Sequence, residues 1–300
     1  MKKYRLIILA FALILGTGMA KAQDPNASFF DEIGNIRLQT TELDALADTI
    51  AVINHRAEDI TWSRVVYRVI DMRDKQNFQL YFPTRSTDEY KSLFRLMLDA
   101  VVSGINVYSK NPRDIKPQFK EILKGEELSR VFAFDENMEN NLIQVDKLTE
   151  QRTLNTDQYM RYIRNQLKFL IQEVYFFDAH TSRMYSKIIA IAPMYPLHPD
   201  NMANNDTMLY FRNSILCWFS FDELRPYLIR QFIIPNGNDS QRMTYDDFFS
   251  QNLYSSYILG ESNMYSRMLL EFSLDENALR KEQSRIENEL MNFEQDLWEN

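Results

Sequence analysis

One cysteine, three histidines and seven glycines stand in the 300 residues, and each scarcity removes a class of chemistry. Cys217 cannot close an internal disulfide, so stability must come from packing or from partners. His55, His180 and His198 are scattered and form neither an HExxH motif nor a close pair with Cys217. A zinc site has no foothold there. Past residue 22 the glycines are Gly34, Gly104, Gly125, Gly237 and Gly260, singletons from which no phosphate-cradling loop can be built. Cations are also short, 34 Lys and Arg against 42 Asp and Glu, for a net charge of -8. A chain of that sign does not track a nucleic-acid backbone.

Hydrophobic residues make up 45% of the chain, enough to bury a good core. The first 22 residues read as a secretory signal: Lys2, Lys3 and Arg5, then the apolar run "LIILAFALILG", then "AKA" before Gln23. Its removal takes away Lys2, Lys3, Arg5 and Lys21 and no acid, so -8 becomes -12. Export to a periplasm follows as an expectation. With no cysteine at the cleavage point, the mature chain is expected to carry no lipid or membrane anchor of its own.

A polar leader, residues 23–39, precedes an amphipathic helix from residue 40, with Thr40 or Thr41 as cap and Leu43, Leu46, Ile50 and Ile53 on one face. In "EDITWSRVVYRVIDMRDKQNFQLYFP", Trp62, Val65, Val66, Val69 and Ile70 recur at helical spacing. A strand would mix Arg64 and Arg68 with Trp62, Val66 and Ile70 on one face. The spacing therefore predicts a helix capped by Asp59, with "QLYFP" as an extended exit. Arg64, Arg68, Asp71 and Lys75 form its polar stripe, either a solvated face or a partner surface.

Ser86 and Glu89 have capping-box spacing for a buried helix running to Gly104. Residues 105–155 carry no legible pattern. "LKFLIQEVYFFD" and "RMYSKIIAIAP", joined by "AHTS", predict a hairpin, and "ILCWFSF" a third strand. "TYDDFFSQNLYSSYILGESNMYSRMLLEF" returns to helical spacing. The C-terminal segment 273–300 opens on Ser273 and Glu276 and sets Leu279, Ile286, Leu290, Phe293 and Leu297 on a narrow apolar seam that must be covered. The expected class is α+β: an antiparallel sheet of about three strands, amphipathic helices in one domain over 40–272, and a C-terminal helix.

Catalytic constellations are thin. Cys217 lies between Leu216 and Trp218 in an apolar run, without a placed base. The carboxylate pairs Asp222/Glu223 and Asp246/Asp247 allow a glycoside-hydrolase reading, but adjacent carboxylates on a helix diverge, and "TYDD" fits a helix cap. A secreted hydrolase and an aromatic-lined ligand-binding module are the rival classes.

The blocks "WSRVVYRVIDMRDKQN" with "LYFP", "SLFRLMLDA", "VYFFDAHTSRMYSKIIAIAPMYP" and "NDSQRMTYDDFFSQNLYSSYILGESNMYSR" occur in an order that resembles the GldN/PorN family of gliding motility and type IX secretion proteins. The resemblance spans roughly residues 58–270 and weakens at "LCWFSFDELRPYL". It implies a non-enzymatic periplasmic subunit without cofactors. It also implies three associations: with an outer-membrane lipoprotein of the GldK/PorK type, with the periplasmic arm of a GldM/PorM-type motor protein, and with itself in a ring. No catalytic residues come with it. The residues expected to meet a partner are Arg64, Arg68, Leu279, Ile286, Leu290, Phe293 and Leu297.

Overall fold

A computed structural model describes residues 55–87, 90–111, 114–133, 142–156, 159, 168–195, 214–234, 243–262, 268–273 and 275–299. The expected signal, leader and helix from residue 40 lie outside them, apart from His55 and Arg56. In chain order the elements are β1 (Ile60–Asp71), α1 (Phe78–Tyr81), α2 (Leu93–Val102), α3 (Gly125–Val131), β2 (Ile143–Val145), β3 (Arg152–Leu154), β4 (Lys168–Asp178), β5 (Arg183–Met194), β6 (Phe219–Ser220), α4 (Phe221–Arg230), α5 (Tyr245–Ser250), β7 (Tyr257–Glu261), α6 (Leu269–Phe272) and α7 (Glu276–Glu299). The class is α+β. A five-stranded antiparallel sheet runs β6-β5-β4-β1-β7, and β2 pairs with β3 separately.

The β4–β5 hairpin forms where aromatic and β-branched residues predict it. Its turn is built by Asp178, whose Oδ1 accepts the amides of His180 (2.8 Å) and Thr181 (3.2 Å), with Ser182 at φ +53°. The third strand is short, because only Phe219 and Ser220 pair continuously with β5, while Ile215 touches Met194 through a single bridge. The two further strands come from segments whose spacing predicts helices. "YSSYILGE" supplies β7, and among the described residues of that region the helices are α5 and α6.

The charge-laced stretch is β1, not a helix. It pairs with β4 over eleven positions and places Trp62, Arg64, Val66, Arg68 and Ile70 on one face. The mixture of arginine and apolar groups is tolerable because carboxylates from distant positions reach that face. Asp59 ends a single 3-10 turn and caps nothing, and "QLYFP" begins with the helical turn α1 before Pro83. Asp71 and Lys75 also leave the expected stripe: Asp71 pairs with Arg73 and Lys168 on the opposite face.

α2 is buried nearly all round and ends at Gly104, as its sequence predicts, but Ser92 is the cap, its hydroxyl accepting from Arg95 N at 3.4 Å. At the far end Gly104 takes φ +102°, which lets Ile105 N reach Ala100 O at 3.1 Å. α2, α4 and α5 bring Phe94, Met97, Leu224, Leu228 and Phe248 onto Ile70, Phe169 and Ile171 at one end of the first sheet face. The opposite face carries Tyr67, Val69, Leu170 and Ala190, covered by Tyr108, Ile115 and Trp218. Tyr108, Ile115, Phe119 and Ile122, from a stretch illegible in the sequence, thus close the second face.

Candidate functional site

Two apolar clusters share the first sheet face, and a polar seam separates them. The second cluster forms where α7 lies on Val66 and Ile258, with Ile286 fully buried and Leu290 nearly so. Leu279 packs at its margin. Phe293 stacks on Trp62 (4.5 Å between centroids, 25° interplanar) and meets the edge of Phe177. Gln283 Nε2 donates to Ile258 O of β7 at 2.7 Å, so a polar side chain of α7 also ties the helix to the edge strand. The Leu297 side chain lies outside the described residues. The helix begins with Asp275 rather than Ser273: Asp275 Oδ1 accepts Ala278 N at 2.6 Å, while the buried Ser273 hydroxyl has no partner among the described residues.

The seam explains how β1 carries two arginines. Arg64 NH1 lies 3.0 Å from Glu289 Oε2 on α7, and its Nε lies 3.4 Å from Glu261 Oε2 on β7. Arg285 of α7 ties into the same acids, at 3.3 Å from Glu261 and 2.5 Å from Glu289. Those contacts hold the Glu289 carboxyl below its ordinary range, Arg285 first and Arg64 after it. Arg68 sits deeper. Its Nε is 3.1 Å from Glu173 Oε2, its NH2 donates to Tyr175 Oη at 3.1 Å, and Glu287 is 3.9 Å away on α7. Tyr175 in turn donates to Glu173 Oε2 at 3.0 Å. Glu173 is 1% exposed, and burial pushes its carboxyl up against the opposing pull of Arg68.

The structure therefore brings Arg64, Arg68, Leu279, Ile286, Leu290 and Phe293 into one place, where they face each other within the chain. Sequence reasoning missed Glu173, Tyr175, Glu261, Glu287 and Glu289. The available signal was the period-two alternation of "QEVYFF", which puts Glu173 and Tyr175 on one strand face.

The other candidates are held in structural roles. Asp246 is 1% exposed and takes Arg225 through two bonds of 2.9 and 3.1 Å. Asp247 completes a capping box with Thr244, as "TYDD" suggests. Asp222 pairs with Lys187 at 3.1 Å, and Glu223 accepts from Tyr108 Oη at 2.6 Å. His55 Nδ1 lies 2.5 Å from Asp178 Oδ2, His180 contributes a backbone amide to the same carboxylate, and His198 is outside the described residues. Among the described residues no three His, Cys, Asp or Glu side chains gather as a metal site.

Cys217 is fully buried, and burial pushes its thiol far above the ordinary range. We expect it to resist thiol reagents in the native protein and to react only on unfolding. Cys217→Ala should cost about 1 kcal/mol, and Cys217→Ser about 1–3 kcal/mol because its hydroxyl would be buried. Thermal melts and a thiol titration check both; rapid native-state labelling would restore Cys217 as a candidate nucleophile.

The family described as "Gliding motility associated protein GldN" matches residues 55–299, while no curated protein matches the chain. That match begins at His55, anchored on Asp178, and ends in the last turn of α7, so the sheet, its polar seam and its covering helix all fall within it. On that extent of agreement the chain belongs to the GldN family.

Proposed function

We propose that this chain is a non-enzymatic scaffold subunit, exported by the signal at residues 1–22 and held in the periplasm at the inner face of the outer membrane. Membership of the GldN family makes it a component of gliding motility and type IX secretion, and this observation carries the reading. In the proposal it binds an outer-membrane lipoprotein of the GldK/PorK type, meets the periplasmic arm of a GldM/PorM-type motor protein, and repeats around a ring. Partners read the surface that β1 and α7 build together, with Arg64, Arg68 and the α7 seam as its framework.

A further observation supports it. The carboxylates that a hydrolase would use are engaged by Arg225, Thr244, Lys187 and Tyr108. No described helix is long and apolar enough to cross a membrane. The test is affinity capture of the native protein from an envelope extract, with bound proteins identified by mass spectrometry. Recovery of an outer-membrane lipoprotein is expected. Capture of the chain alone, together with glycan cleavage or binding, would overturn the scaffold.

A further inference from the structure

Val174 and Phe176 stand toward the β4–β5 turn on the second sheet face, between Val65 and Ser63 of β1 and Lys187 and Tyr185 of β5. Both are buried, at 0% and 2% exposure, although neither joins the cluster that Tyr108, Ile115 and Trp218 close further along that face. Ser63, directly opposite Phe176, is exposed, so the strands do not wrap this end by themselves. A valine and a phenylalanine kept this dry need an apolar cover.

His55 supplies the edge of that cover. Its ring meets Phe176 edge-on at 4.9 Å and lies 4.3 Å from the ring of Tyr185, which stacks on Phe176 at 5.7 Å. Nδ1 of His55 is tied to Asp178 in the turn. The backbone fixes the same approach: Asp59 N donates to Arg56 O at 3.0 Å, and Ala179 N donates to Asp59 O at 2.8 Å. Val174 lies two residues further along the strand from Phe176, about 7 Å away. One imidazole seated on Phe176 and Tyr185 does not reach over both, and His55 is itself buried.

The chain runs into His55 directly from residues 40–54. Their Leu43, Leu46, Ile50 and Ile53 share one side at helical spacing, with Asp48 on the other. We propose that this segment is the missing cover: its apolar side docks on Val174, Phe176 and Tyr185, and His55 pins it at the turn. No linker separates the segment from its pin, so closing it onto the face costs little chain entropy. The seat extends the folded body upstream of His55, where the family match begins. It is independent of the partners named above.

Hydrogen exchange read by mass spectrometry on the full exported chain tests the seat. A lone segment of fifteen residues is marginal as a helix, so lasting protection there requires docking. Amides of residues 43–54 are expected to exchange about tenfold or more slowly than in the unfolded chain. Tyr185→Ala, which strips a half-buried ring from the seat, should remove most of that protection while the amides of β1 and β4 beside α7 keep theirs. Leu46→Asp with Ile50→Asp should abolish it from the other side and lower the melting temperature by about 5 °C or more. Asp48→Lys should change neither readout. Free exchange of residues 43–54 in the wild type would sink the proposal. Protection indifferent to Tyr185→Ala would place the segment elsewhere and sink it too, as would an unchanged melt for the Leu46 and Ile50 double variant. Each result is read on the isolated protein, so it leaves capture of a lipoprotein to succeed or fail separately.

Discussion

Ile286→Asp is expected to lift α7 off the sheet and to cost about 3–5 kcal/mol, from the lost burial of a core side chain and the burial of a charge in its place. Ile286 is fully buried against Val66 and Ile258, in the middle of a helix about 36 Å long that rests on the body along a single seam. A lone helix of that length is marginal in water. Once its central anchor is charged, Leu279, Leu290 and Phe293 cannot hold it alone. Thermal melts should fall by on the order of 10 °C, and limited proteolysis should release α7 before the sheet is cut. Lys281→Asp, on the exposed side of the same helix, should stay within about 0.5 kcal/mol of wild type. An Ile286→Asp protein with unchanged melting and unchanged protease resistance would mean that α7 does not rest on β1 in solution.

Arg68→Met is the second large effect, and its size should depend on pH. The substitution leaves Glu173, 1% exposed, with Tyr175 and Ser186 as hydrogen-bond partners but without its cation. A buried carboxylate deprived of its cation costs roughly 3–5 kcal/mol at neutral pH. Glu173 already has its folded-state pKa raised by burial in the intact protein, and loss of Arg68 raises it further. A group with a raised folded pKa favours the native state below its unfolded value, near 4.3 for glutamate, and loses that contribution as pH rises through the folded value. The deficit of Arg68→Met relative to wild type should therefore be greatest at neutral pH and shrink toward pH 4, as Glu173 takes a proton. Arg68→Met with Glu173→Leu removes both charges and should recover most of the loss. Denaturant melts of the three proteins across pH 4–8 give the comparison. A deficit independent of pH, or a double variant as weak as the single one, would place the cost in packing.

These two experiments probe the place where sequence and structure part. Local chemistry alone decides the β4–β5 hairpin, since alternating aromatic and β-branched residues flank a turn that Asp178 can bond. It also decides the stop of α2 at Gly104, the capping box of Thr244 and Asp247, the amphipathic seam of α7 and the α+β class. Each depends on residues within a few positions of one another, and each was legible in the sequence. The resemblance carried by the ordered blocks was likewise legible, and the family match extends it to residues 55–299.

What only the tertiary structure decided is β1, and with it the candidate site. Val65, Val66, Val69 and Ile70 satisfy a helical period and a strand buried on both faces equally well, so Arg64 and Arg68 had to break the tie. Judged from their neighbours alone they call for water, which favours a helix with a wet side. Their actual partners are Glu173 on β4, Glu261 on β7 and Glu287 and Glu289 on α7, more than a hundred residues away. Burial of an arginine depends on where its counter-charge stands in space, and no window of sequence around Arg64 or Arg68 contains that information.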